Sequence, residues 1–313
     1  MQRKFVINPR AGGGRSGRRA QALRDRFSGT SLGFDHVLPG DRLATIEQTR
    51  RALHAGYEQI VAVGGDGTIN AVVNGFFENG AAINSRAQLC IVDAGTGSDY
   101  VRAVYGTRAH DWCACIESPQ VQSVDVGRIV SVGTGRAALY FVNMASVGLS
   151  ADVVLRKQAM PAFLPGVLSY AFPAFAALFR ARPFETRIEL DGAVHEGEIL
   201  NLFVAKGVTA GSGMRLGGAV TLSDGAFDVT VVKAMSLVRA LPSFVHLFDG
   251  RFDDERRFIK TTASCVVVST REPMAIEFDG EVEGTTDVEF TIVSQALRIA
   301  MPAPSPTTAA TAE

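Results

Sequence analysis

Three short glycine-rich stretches hold the residues of this chain best suited to chemistry. Asn8-Pro9-Arg10-Ala11-Gly12-Gly13-Gly14 comes first, Gly64-Gly65-Asp66-Gly67-Thr68-Ile69-Asn70 second and Gly95-Thr96-Gly97-Ser98-Asp99 third. A glycine turn lets the backbone approach phosphate oxygens, and a helix that starts there adds oriented N–H donors. Any one of these turns could serve chain conformation alone. Three together, two of them with an Asp and a Thr, favour a nucleotide-phosphate site. None is GxGxxG and none is the Lys-bearing Walker loop, which weighs against a dehydrogenase and a standard P-loop enzyme. Asp66 and Asp99 bring carboxylates to this edge, where a bare carboxylate would repel a triphosphate. Mg²⁺ resolves that conflict by binding oxygens from both sides. Each Asp could also cap the helix that follows it. The late acidic loop with Asp279, Glu281, Glu283 and Asp287 reads, from composition alone, as an exposed hairpin.

Such turns need strands to place them. Up to about residue 115, short apolar runs alternate with helical patterns, which reads as βαβ units and a parallel sheet. Strands are predicted at Phe5–Asn8, Phe34–Leu38, Ile60–Val63 and Leu89–Val92, and helices at Arg15–Phe27, Leu43–Ala55 and Thr68–Phe77. All three glycine turns then fall on the carboxyl edge of that sheet, where ligands bind. The character changes around Glu117-Ser118-Pro119. Strands are predicted at Val124–Val132, Leu139–Ala145, Thr186–Leu190, Glu198–Ala205, Phe227–Val232, Cys265–Ser269, Met274–Phe278 and Val288–Val293, and helical interruptions near Val167–Phe179 and Ser236–Phe248. The expected architecture is an α/β domain over residues 1–120, a β-rich, sandwich-like domain over 121–301 and a disordered tail over 302–313.

Composition sets the outer limits. The chain has 313 residues, 47% hydrophobic and 20% charged, with 32 glycines, which excludes a disordered or collagen-like protein. A net charge of -1 gives no general affinity for nucleic acid. Cys90, Cys113, Cys115 and Cys265 are too few and scattered for a disulfide framework, and are expected as buried free thiols in a reducing compartment. The five histidines show no ligand spacing. The N-terminal apolar stretch is too short for a signal-peptide core, so a cytoplasmic protein is expected. Between Gln158 and Phe179 lie 22 uncharged residues, long enough to span a bilayer, but Pro161, Pro165 and Pro173 argue against a regular spanning helix. A buried helical region and an apolar surface that meets lipid both remain open.

The second glycine stretch, continued by Val72-Val73-Asn74-Gly75, resembles the nucleotide-binding signature of the diacylglycerol kinase, sphingosine kinase and ceramide kinase superfamily. Asn8-Pro9 with its glycine run resembles that family's first motif, and Gly95-Thr96-Gly97-Ser98-Asp99-Tyr100-Val101-Arg102 its second glycine motif. Gly148-Leu149-Ser150-Ala151-Asp152-Val153, Asp224-Gly225 and Asp279-Gly280-Glu281 follow in the family's order. The resemblance implies an N-terminal domain related to NAD kinase, a lipid-binding β-rich domain, and ATP in the cleft between them. It implies Glu281 as general base, with Asp66 and Asp99 at the phosphates. Asn8, Pro9, Gly64, Gly65, Gly67, Thr68, Asn70 and Thr96 are the implied nucleotide contacts. It also implies a structural Mg²⁺ held by Asp224 and the carbonyls of Thr221 and Ala226.

The resemblance therefore leads to an ATP- and Mg²⁺-dependent lipid kinase at the inner membrane face. Diacylglycerol is the first-choice substrate, and a homodimer is allowed for. Ceramide, a sphingoid base, a soluble NAD-kinase substrate and a lipid-binding protein without catalysis are the alternatives. The chain departs from the family pattern at Ala71, where Glu is usual, and at Ser98, where Asn is usual. It also departs at Pro39-Gly40-Asp41, with Thr45 beyond, and at Lys206-Gly207 ahead of the Asp224 turn.

Overall fold

The computed structural model describes residues 1–30, 33–106, 110–159, 173, 177, 180–207, 209–210, 214–215, 220–236 and 254–302. Its first third runs β1 (Arg3–Ile7), α1 (Arg15–Phe27), β2 (His36–Val37), α2 (Arg42–His54), β3 (Gln59–Gly64) and α3 (Asp66–Phe76). A small hairpin of β4 (Phe77–Glu78) and β5 (Ala81–Ala82) precedes β6 (Gln88–Asp93), α4 (Asp99–Tyr105) and α5 (Trp112–Glu117). β2, β1, β3 and β6 lie side by side, all parallel. β3 and β6 are buried at every residue, as expected of strands covered on both faces. Ile60 and Ala62 pack with Ala52 and Leu53 of α2 and with Ile69 and Val72 of α3. Val61 and Val63 pack with Leu23 and Phe27 of α1 and with Cys115 and Ile116 of α5. The period-2 alternation of one strand thus feeds two helical layers.

The remainder is β-rich, with one further helix among the described elements. It comprises β7 (Gln120–Ser131), β8 (Leu139–Phe141), β9 (Met144–Gly148), α6 (Leu149–Gln158), β10 (Phe184–Leu190), β11 (Ala193–Ala205), β12 (Thr209–Ala210) and β13 (Met214–Arg215). Then come β14 (Phe227–Lys233), β15 (Phe258–Ala263), β16 (Cys265–Thr270), β17 (Ala275–Phe278), β18 (Glu281–Thr285) and β19 (Val288–Met301). β18-β17-β9-β11-β10-β16-β19 follow one another in a continuous sheet, and the end of β19 runs parallel to β6. The last strand therefore joins the two halves. β7 pairs antiparallel with β19 along both.

Several sequence expectations are corrected. The strand predicted over Leu139–Ala145 is broken into β8 and β9, because the amides of Val142, Asn143 and Met144 all turn to the carboxylate of Asp279. The strand predicted to end at Val293 runs to Met301 through a bulge between Val293 and Leu297, where Gln295 has φ 48°. β15, β18, α4, α5 and α6 were not predicted. Cys90 and Cys115 are buried free thiols, but Cys113 and Cys265 are only partly covered. The predicted helix Val167–Phe179 lies outside the described residues apart from Pro173 and Ala177; Ser236–Phe248 does so beyond Ser236, and the tail beyond Pro302. No helix of the described residues is long and apolar enough to cross a membrane.

Candidate active site

The three glycine turns converge. Gly12 and Gly13 take left-handed φ of 61° and 63°, which glycine adopts without a Cβ penalty, and bend the chain from β1 into α1. A Cβ on Gly12 would meet the carbonyl of Ala94, ahead of the third turn. A Cβ on Gly65 would lie 2.9 Å from Cα of Gly95, so the second and third turns touch backbone to backbone. Side chains complete the assembly. Asn8 Nδ2 donates to Thr68 Oγ1 at 3.2 Å, Arg15 Nη2 donates to the Gly95 carbonyl at 2.6 Å, and the Ser98 amide donates to Asp66 Oδ2 at 2.8 Å.

Asp66 opens α3 and lies beside the charges of Asp99 and Asp93. Burial, then those charges, push its carboxyl up to about 6. Its Oδ1 is buried and has no hydrogen-bond partner. An orphan carboxylate oxygen at the cleft is chemically suited to a divalent cation, and Asp66 fits the Mg²⁺ that accompanies a nucleotide. Asp99 itself opens α4 and pairs with Arg102 at 2.5 Å.

The late acidic turn enters from the other half. Asp279 and Gly280 link β17 to β18 with φ of 48° and 88°, and Phe278 pairs with Glu281. Positive φ at both central residues marks a type I′ hairpin, for which Asp-Gly is a preferred pair. The Asp279 carboxylate is partly buried and accepts from the amides of Val142, Asn143 and Met144 and from Asn70 Nδ2. The three amides fix the turn to the junction of β8 and β9, and the Asn70 bond ties it to α3. Glu281 consequently lies over the first turn of α3, with its Oε1 3.2 Å from where a Cβ on Gly67 would stand. Burial raises the Glu281 carboxyl above its ordinary range, with Arg42 opposing.

A cleft of about 480 Å³ results, lined among others by Asn8, Gly65, Asp66, Gly67, Thr68, Thr96 and Glu281. Thr45 and Ala71 also line it. Four of the residues implied as nucleotide contacts or catalytic groups, Pro9, Gly64, Asn70 and Asp99, sit beside the cleft and do not line it. Pro9 is exposed, Asp99 lies behind Asp66, and Asn70 is buried between Asp279, Tyr140 and Arg42. Gly64 is the last residue of β3, where a Cβ would strike Thr68.

Sequence reasoning missed two cleft cations. Arg42 follows the N-cap of α2, donates to Asn70 Oδ1 and Glu283 Oε2, and lies over the Phe278 ring. Lys157 stands near the end of α6, where burial lowers its pKa to about 8 against the opposing charges of Asp66, Asp99 and Glu277. Its only sequence signal is its place as the last charge before the 22-residue uncharged run. Glu277 was missed too. It is fully buried in β17, accepts from Ser146 Oγ at 2.6 Å and from the Gly280 amide at 2.9 Å, and is pushed up to about 7 by burial.

The second implied metal site does not fit. Lys206 Nζ lies 2.7 Å from Asp224 Oδ1 and 2.9 Å from the Ala226 carbonyl, two of the three groups expected to hold Mg²⁺. Thr221 supplies its amide to Asp224 Oδ2 at 2.6 Å. Among the described residues no group of three or more His, Cys, Asp or Glu side chains is arranged to hold a metal.

Residues 2–129 match the diacylglycerol kinase catalytic domain, and residues 143–301 match the YegS C-terminal NAD kinase beta sandwich-like domain. A diacylglycerol kinase of Bacillus subtilis is 29% identical over 79% of this chain and 78% of its own length. One from Staphylococcus carnosus is 28% identical over 83% and 81%. A crystal structure of a diacylglycerol kinase from Bacillus anthracis shares the fold with a TM-score of 0.68 at 19% identity, covering 98% of this chain and 97% of that one. Fold and cleft together define a phosphotransferase of the lipid-kinase type. The chain belongs to the bacterial diacylglycerol kinase and YegS-like lipid kinase family.

Proposed function

We propose that this enzyme transfers the γ-phosphoryl group of ATP to the hydroxyl of a membrane lipid, diacylglycerol before ceramide or a sphingoid base. One observation carries the reading: Glu281 stands over the first turn of α3, against Gly67, in a cleft that it shares with Asp66 and that three glycine turns wall. The N–H groups of those turns and the start of α3 suit phosphate oxygens. Lys157 and Arg42 add positive charge on the wall that faces them. Mg²⁺ on the phosphates would be held by Asp66 and would neutralise charge at the transferred group.

Glu281 accepts the proton of the lipid hydroxyl as its oxygen bonds to the γ-phosphorus, and the bond to the bridging oxygen breaks to release ADP. A carboxyl raised by burial is the stronger base for this task. The hydroxyl has to arrive from a bilayer. Leu38 and Leu43 bracket the cleft-lining stretch Pro39–Arg42, Leu155 precedes Lys157 on α6, and all three are exposed. That rim suits transient contact with the inner membrane face. The name of the relatives from Bacillus subtilis and Staphylococcus carnosus supports diacylglycerol as the first substrate to try.

The test uses γ-labelled ATP with diacylglycerol, ceramide, sphingosine and NAD in mixed micelles, together with Glu281→Gln. Diacylglycerol is expected to give the highest kcat/KM. The variant is expected to lose about 10²–10⁴-fold in kcat, with its ATP dissociation constant nearly unchanged. Near-normal kcat in the variant would remove Glu281 as base. Lost ATP binding would move it to the nucleotide site, and labelling of NAD alone would overturn the lipid reading.

A further inference from the structure

We propose that Lys206 is a built-in cation at the Asp224 turn, holding by its ammonium the position that a divalent metal would otherwise take. The side chain of Lys206 is completely enclosed, in a chain with only five lysines. Its three N–H donors meet three oxygens: Asp125 Oδ2 at 2.8 Å, Asp224 Oδ1 at 2.7 Å and the Ala226 carbonyl at 2.9 Å. An ammonium has three donors and no acceptor, so it is fully satisfied here.

The two carboxylates it bonds have further partners. Asp224 Oδ2 accepts from the Thr221 amide, and Asp125 Oδ2 also accepts from the Gly225 amide at 2.8 Å. Asp125 Oδ1 accepts from the Gln295 amide at 2.9 Å, inside the bulge of β19. The Lys206 amide is bonded in turn to the Asn143 carbonyl. One positive charge therefore ties together β7, the end of β11, the 221–226 turn and the β19 bulge.

Mg²⁺ requires near-octahedral oxygen ligands at about 2.0–2.1 Å. An ion on Asp224 Oδ1 and the Ala226 carbonyl would sit against the ammonium that already bonds both, and the like charges would repel. The ammonium also answers the purpose of a metal here. Asp125 is fully buried, and a buried carboxylate needs a partner of opposite charge. The chain supplies that partner covalently, so the turn stays assembled whatever the divalent-metal supply.

Thermal unfolding without nucleotide, in EDTA and in millimolar Mg²⁺, tests this for the wild type, Asp224→Asn, Lys206→Asn and the double variant. The wild type and Asp224→Asn are expected to respond equally to Mg²⁺, whatever the cleft carboxylates contribute to both. Lys206→Asn empties the cation position. It is expected to unfold roughly 10 °C below the wild type in EDTA, because Asp125 loses its partner. Mg²⁺ should restore part of that loss, and should not do so in the double variant. A Mg²⁺ stabilisation of the wild type that Asp224→Asn abolishes would overturn the proposal. So would a Lys206→Asn protein that unfolds at the wild-type temperature in EDTA. Should Lys206→Asn fail to fold, the comparison of wild type with Asp224→Asn decides alone.

Discussion

Replacing Glu277 by Gln should stabilise the enzyme in alkali and leave it nearly unchanged in acid. Glu277 is fully enclosed in β17, and its donors among the described residues are the Ser146 hydroxyl and the Gly280 amide, with the charge of Lys157 nearby. Burial dominates, so its pKa rises from 4.5 in the unfolded chain to about 7 in the fold. An acid whose folded pKa is raised binds its proton more tightly when folded. Its cost to stability is therefore absent below pH ~4.5, grows between ~4.5 and ~7, and is constant above. A rise of about 2.5 pH units at ~1.4 kcal/mol each sets that cost at about 3 kcal/mol.

Gln keeps the shape and one acceptor and never ionises. Thermal unfolding of wild type and Glu277→Gln at pH 5 and pH 8 gives the answer directly. At pH 8 the variant should unfold roughly 5–10 °C higher, and at pH 5 the two should lie within a few degrees. A difference between them that is the same at both pH values would refute the reasoning, since the charge would then not be what burial penalises.

Two other substitutions probe the assembly of the cleft. Gly65→Ala places a Cβ 2.9 Å from the Gly95 backbone, which cannot rotate away; the two turns should part, with ATP affinity falling at least about tenfold and stability by about 1–3 kcal/mol, read by nucleotide titration and urea unfolding. Asp279→Asn gives one acceptor to four N–H donors and turns an amide toward amides, which should cost about 2–5 kcal/mol in urea unfolding and lower kcat by displacing Glu281.

Local chemistry made much of this protein legible in one dimension. The apolar run Ile60–Val63 between turn signals could only be a strand covered on both faces, and β3 is one. Glycine where φ must be positive or backbone must touch backbone marked the turns at Gly12, Gly65 and Gly95. The Asp-Gly pair before Glu281 marked a hairpin. The resemblance then linked those motifs to one family. The strand ends at Val142–Asn143 and Val293 were hidden because carboxylates far away in sequence, Asp279 and Asp125, draw the backbone amides out of the ladder.

The charges inside the cleft and beneath it were decided only by tertiary structure. A lysine looks the same in sequence whether it is solvated or enclosed, and only packing removes water from Lys157 and Lys206. Asp224 read as a metal ligand through the family resemblance alone, while the ammonium that meets it stood 18 residues away. Periodicity and turn chemistry are properties of neighbours along the chain, whereas the pairing of a buried charge depends on which distant segments share its cavity.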